Sequence, residues 1–191
     1  MERDRLTAFT DGVLAVIITI MVLELKPPEG ASLADLSRLW PVGLSYVLSF
    51  VYIGIYWSNH HHFFQLVDKV DGAVLWANLH LLFWLSLVPF ATAWMGEHEG
   101  AAVPAALYGL SLLAAAVAWY VMQLVIVRRQ GPGSPLGAAL GRDLKGKLSP
   151  LLYLLGVGLA FVHVLLADAL YAAVALMWLI PDRRVAARLE A

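Results

Sequence analysis

The sequence predicts an all-α integral membrane protein with six transmembrane helices, and three observations predict it. Hydrophobic residues make up 61% of the chain and charged ones only 14%, against about 25% charged in soluble domains. The apolar residues fall into runs of about 20, long enough to cross a bilayer as helix, separated by Pro, Gly and charged punctuation. Lys and Arg, finally, crowd into alternate connections. The same composition excludes other classes. A net charge of −1 argues against a nucleic-acid partner. The absence of cysteine removes disulfides, thiolate chemistry and cysteine-based metal sites. No cleavable signal is expected, because the charged start is short and mixed in sign and no small-x-small site follows.

Helix 1 is predicted over about 6–25, and Lys26-Pro27-Pro28-Glu29-Gly30 ends it because two prolines deny the backbone its donors. A short surface helix is expected within 31–40, capped by Ser32. Helix 2 covers about 41–64 and opens on Pro41 in its first turn. After a polar turn comes helix 3, about 73–95, closed by Gly96-Glu97-His98-Glu99-Gly100. Helix 4 covers about 101–127, and 128–148 is a hydrophilic loop rich in Gly, Pro and Ser. The stretch 151–180 would be about 45 Å long as one helix, too long for a core of about 30 Å. Two helices, about 149–166 and 168–181, fit instead, with a turn near Ala167-Asp168 that puts Asp168 at the surface.

Charge decides between five spans and six. With six and an inner amino terminus, the inner segments hold Arg3, Arg5, Lys69, Arg128, Arg129, Arg142, Lys145, Lys147, Arg183, Arg184 and Arg188. Lys26 and Arg38 alone fall outside. Five spans would move the three C-terminal arginines out and spoil this asymmetry, so the positive-inside rule favours six. Both termini and the 128–148 loop are then cytoplasmic. The expected unit is one six-helix domain over 1–191, without a separate soluble domain.

This topology brings Arg5, Thr10, Asp11, Asn59, His60, His61, His62, Asn78 and His80 to one level of the inner leaflet. Each needs a partner there, because lipid offers none. One reading is a polar clasp, with Phe9 beside it, holding helices 1, 2 and 3 in register. A second is a histidine that titrates and couples pH to conduction. Metal or haem is a third, opposed by geometry: adjacent histidines on a helix point about 100° apart. The i, i+4 pair of a helical zinc site is also missing, since Phe64 and Trp84 occupy those positions. His163 reads as a packed, singly bonded histidine and His98 as a loop residue. Trp40, Trp57, Trp76, Trp94, Trp119 and Trp178 read as an interfacial belt, and Trp84 as packing.

Helix 1 carries the functional argument. Arg5, Phe9, Gly12, Val16, Thr19 and Leu23 fall along one face at helical spacing. Helices 2 to 6 offer no polar stripe along their length, so one protomer has no wet path through it. A conduit would have to lie on a symmetry axis, lined by one helix from each copy. Val16, Thr19, Ile20 and Leu23 are the candidate lining, and an apolar ring of this kind gates by dewetting or steric closure. The competing reading makes them ordinary packing or lipid-facing residues. For Thr19 the alternatives are a hydroxyl facing ions and one bonded back to the Ala15 carbonyl.

The stretch Arg5-x-x-x-Phe9-Thr10-Asp11 ahead of an apolar helix resembles the Arg-x-x-x-Phe-Ser-Asp signature of the transmembrane protein 175 family, with Thr10 keeping the hydroxyl of the usual Ser. The family comprises potassium channels of prokaryotic membranes and of animal endosomes and lysosomes. The resemblance implies a homotetramer with helix 1 around the axis and a hydrophobic constriction on Val16. It further implies a hydroxyl layer on Thr19, apolar narrowing on Ile20 and Leu23, and potassium held only in passing at Val16 and Thr19. Valine is smaller than the Ile or Leu usual at the constriction. The family lacks the Thr-Val-Gly-Tyr-Gly filter, as does this sequence.

The expected function is therefore passive potassium conduction in a bacterial inner membrane, with no catalysis, no cofactor and no tightly bound metal. Expected partners are other copies of the chain, lipid and potassium ions. The alternatives are a haem- or quinone-binding redox subunit using His60, His61, His62, His80 or His163, a proton-conducting channel, and a transporter. No inverted repeat supports the last.

Overall fold

The computed structural model describes residues 2–67, 70–131 and 144–179. All regular structure among them is helical: α1 (Arg3–Leu23), α2 (Leu33–Ser37), α3 (Trp40–Gln65), α4 (Gly72–Ser86), α5 (Val88–Glu97), α6 (Ala102–Gln130), α7 (Leu144–Ala160) and α8 (Val164–Leu179). Four units are long and apolar enough to cross a membrane: α1, α3, α4 with α5, and α6. In α8 the chain forms a shorter apolar helix. Lys69, most of the 128–148 loop and the three C-terminal arginines lie outside the described residues.

Local chemistry explains the boundaries. Ser32 caps α2, and Asp35 returns the bond to the Ser32 backbone as a capping box. Pro41 stands in the first turn of α3, where a missing N–H costs nothing. The span expected over 73–95 is interrupted at Leu87, because Pro89 cannot donate back into the preceding turn. Asp71 caps α4 by accepting from the Val74 N–H at 3.0 Å and pairs with Arg129 at 3.2 Å. The Val74 bond, with Arg129 adding to it, holds this carboxyl below its ordinary range. Gly131 ends α6 at a φ of 89°, in the left-handed region that suits glycine.

The turn expected at Ala167-Asp168 lies instead at Phe161-Val162-His163, where the His163 N–H bonds the Leu159 carbonyl at 2.7 Å. The reason is the register of the α7–α8 hairpin. The Tyr171 ring lies against Gly156, and Trp178 donates to Ser149 at 2.7 Å. Both pairings centre on positions 163–164, so the pivot must fall there. Asp168 consequently sits inside α8 and half-buried, and His163 is exposed in the turn rather than packed.

Two apolar cores result. One joins α1, α3, α4 and α6 through Leu14, Ile17, Ile53, Phe64, Leu81 and Met122. The other joins α3, α5, α6, α7 and α8 around Tyr52, Tyr108, Tyr153 and Tyr171. Close approach of α8 to α6 depends on Gly109, where an added Cβ would overlap the Tyr171 hydroxyl. A buried chain of hydroxyls, Thr92 to Ser49 at 2.7 Å and Ser49 to Tyr108 at 2.9 Å, ties α5, α3 and α6 together.

Candidate functional site

Helix α1 presents two faces of opposite character. Leu6, Thr10, Leu14, Ile17 and Met21 recur every three or four residues and are buried against the rest of the protein. Arg5, Phe9, Gly12, Val16, Thr19, Ile20 and Leu23 lie on the other side and are exposed, Val16 at 55% and Leu23 at 77%. Above Arg5 that outer face is apolar apart from one hydroxyl. Thr19 donates it to the Val16 carbonyl at 2.9 Å, one residue from the Ala15 acceptor weighed above. A hydroxyl has one proton and two acceptor lone pairs, so this bond leaves the oxygen able to meet a cation.

On the buried face, polar side chains form a short relay through three helices. Asn78 of α4 donates from Nδ2 to Thr10 Oγ1 of α1 at 2.9 Å. Its Oδ1 lies 2.9 Å from Nε2 of His60 on α3. All three are buried: Thr10 is 1% exposed, Asn78 0% and His60 2%. His60 also stacks on Phe64, with ring centroids 4.3 Å apart. Every strong polar atom of Asn78 needed to register the helices is thereby engaged, and such satisfaction is required where neither water nor lipid can supply it.

Most of the remaining polar residues gathered at this level lie apart from the relay. Asp11, exposed at the flank, accepts from the Trp57 indole at 3.0 Å. Trp57 thus joins α3 to α1 besides lying near a helix end, a role its place in the sequence did not reveal. The available signal was depth: Trp57 stands one turn from His60, at the level of Asp11. Asn59 points away from α1 and lines a cavity of about 30 Å³ with Tyr56, Trp119, Ser149 and Trp178. His61 bonds Gln65 at 3.0 Å, His62 bonds the Ser58 carbonyl at 2.8 Å, and His80 accepts from Trp84 at 3.0 Å, all within their own helices. Among the described residues no three His, Asp or Glu converge as a metal site.

Comparison with known proteins bears on these same elements. The family profile described as endosomal/lysosomal potassium channel TMEM175 matches residues 5–89, from the start of α1 into α5. A potassium channel of Chryseobacterium sp. (strain P1-3) is 52% identical over 97% of this chain and 96% of its own. A potassium channel of Streptomyces collinus is 36% identical, over 93% of this chain and 91% of its own. The crystal structure of a lysosomal potassium-selective channel TMEM175 homolog from Chamaesiphon minutus matches with a TM-score of 0.82 at 32% identity. That match covers 94% of this chain and 97% of the other.

Proposed function

The chain belongs to the endosomal/lysosomal potassium channel TMEM175 family, and on that premise we propose that it conducts potassium passively through a pore formed by four copies around α1. The observation that carries this reading is the division of α1 into a buried face and an exposed apolar one. A helix that fixes itself to its own protomer along one side leaves the other for an axis and for neighbouring copies. The exposed sector is wider than a single line of side chains. It accommodates a central lining of Val16, Thr19, Ile20 and Leu23 flanked by contacts with adjacent α1 helices.

In this reading the apolar ring at Val16 is the constriction and closes by dewetting. Thr19, one turn along, supplies one neutral oxygen per copy to a partly dehydrated ion. Potassium gives up its water more readily than sodium, so such oxygens favour it. The relay of Thr10, Asn78 and His60, together with Asp11 and Trp57, holds α1 in rotation so that the right face meets the axis. Arg5 lies at the entrance, with Phe9 beside it. The protein crosses a bacterial inner membrane six times with both termini cytoplasmic, as the distribution of Lys and Arg supports.

Single-channel recording of purified protein in planar bilayers, with potassium on one side and sodium on the other, tests the proposal. Discrete ohmic steps reversing toward the potassium potential are expected. Flux that saturates and depends on a coupled ion, or a reversal potential indifferent to potassium, would sink it.

A further inference from the structure

A large cavity in the described structure lies away from α1. It is a groove of about 1140 Å³ between α3, the start of α6 and the α7–α8 hairpin, somewhat larger than the roughly 300–1,000 Å³ of common small-molecule sites. Leu44, Leu48, Val51, Ala172, Leu176 and Leu179 line its length. Ser45 and Asp168 are the polar residues between them, and Ser45 donates to the Pro41 carbonyl at 3.0 Å. The Asp168 Oδ1 is covered and has no hydrogen-bond partner among the described residues. The hydroxyls that feel its charge are spent elsewhere: Tyr108 pairs with Ser49, and Tyr171 donates to the Ala105 carbonyl.

The dimensions and the order of groups narrow the occupant. The lining runs from Trp40 to Val51 on α3, about 16 Å, and from Val164 to Leu179 on α8, about 22 Å, beside a hydrocarbon core of about 30 Å; the part of α8 from Asp168 to Leu179 is about 16 Å. The groove therefore spans about half of the core along α3 and about three quarters along α8, and the stretch below Asp168 is about as long as one single acyl chain. Its rim holds Trp40, His98, Glu99 and His163. The carboxylate follows about one turn below the rim, and an apolar trench follows the carboxylate. A diacyl phospholipid carries its ammonium beyond phosphate and glycerol, too far from its chains to reach a group below the rim. A fatty acid would bring a second negative charge. A neutral chain would leave the carboxylate without a counter-ion, which is costly at this depth.

We propose that this groove binds a single-chain cationic amphiphile, a long-chain primary amine, with its ammonium on Asp168 and its chain along α3 and α8. The test is isothermal titration of the full-length protein in lipid nanodiscs with dodecylamine and, in parallel, with dodecanol, which has the same chain and no charge. Dodecylamine is expected to bind at least about tenfold more tightly, the contribution of a hydrogen bond to a charged group. Asp168→Asn is expected to erase that preference while leaving dodecanol binding unchanged. Equal binding of amine and alcohol, or an undiminished preference in Asp168→Asn, overturns the proposal. Should Asp168→Asn fail to fold, Leu176→Trp fills the trench from an exposed position and must weaken both ligands; unchanged binding there overturns it equally. If neither ligand binds because a second copy of the chain covers the groove, the face is a protomer interface and the proposal is wrong.

Discussion

Replacing Asn78 by Leu removes both polar functions of the relay while keeping the branching and the number of side-chain heavy atoms. The wild-type side chain is fully buried and makes two bonds at 2.9 Å, to Thr10 and to His60. Interhelical hydrogen bonds in membranes average about 0.6 kcal/mol, so two bonds set a floor of about 1.2 kcal/mol. The ceiling comes from what is left behind. Thr10 can turn its hydroxyl to a carbonyl of its own helix. His60, stacked on Phe64 and nearly closed off, has no such recourse, and a stranded buried polar group costs about 1–3 kcal/mol. The expected loss is therefore about 1–3 kcal/mol.

At about 2–4 °C per kcal/mol for a chain of this size, Asn78→Leu should lower the unfolding midpoint by about 2–12 °C. Tryptophan fluorescence of the protein in mild detergent reads it directly. Thr10→Val should lose less, and the two changes together should cost less than their sum because they break one shared bond. The reversal potential in mixed potassium and sodium should not move. A stable Asn78→Leu protein, full additivity with Thr10→Val, or altered ion preference in an intact assembly would refute the clasp.

Val16→Asn should raise resting conductance by wetting the constriction and Val16→Phe should abolish it, whereas the same pair at Val22, about 120° away around α1, should do much less; bilayer recording checks both, and equal effects would put the axis on another face. Thr19→Val keeps the shape and removes the oxygen, so reversal potentials should shift toward sodium with current preserved; an unchanged reversal potential denies the hydroxyl any part in selection. Gly109→Ala drives a methyl into the Tyr171 ring and hydroxyl and should cost about 1–3 kcal/mol by overpacking; thermal melts of the Gly109→Ala, Tyr171→Phe double variant should show partial relief. A cysteine at His163, in the turn between α7 and α8, should react with an impermeant thiol reagent from outside, and one at Ala138 only from inside. The chain has no cysteine of its own, so labelling at His163 only from inside would rule out the six-crossing topology.

The apolar runs and the two faces of α1 were legible because hydropathy and helical period act within one segment. So was the cap at Ser32, which needs only its own next three residues. Features set by pairing between segments were not. The turn at Phe161-Val162-His163 follows from Gly156 meeting Tyr171 and Ser149 meeting Trp178, and no local signal records either meeting. Asp168 drew the expected turn to itself, since a carboxylate reads as surface until the hairpin register is known. The interruption at Leu87 is different: Pro89 was in plain view and simply outweighed by the long apolar run around it. Among the histidines, depth could be read but rotation could not. His60 turns to Asn78 while Asn59, one residue away, faces the cavity beside Tyr56 and Trp119, as a step of about 100° per residue allows.

The same spacing explains how one short helix can hold two threonines in unlike roles. Thr10 and Thr19 are nine residues apart, which at about 100° per residue places them about 180° from one another. One is buried and accepts a hydrogen bond from Asn78; the other is exposed opposite it and keeps its oxygen open. In the proposed pore, rotation of α1 is therefore the quantity that decides which face meets the axis. A hydrophobic face alone would fix that rotation loosely, because Leu14, Ile17 and Met21 could slide over an apolar partner at little cost. A directional bond cannot slide. The Thr10–Asn78–His60 relay pins the angle at one level, Trp57 on Asp11 pins it again one residue along, and Thr19, two and a half turns further up, is aimed by both.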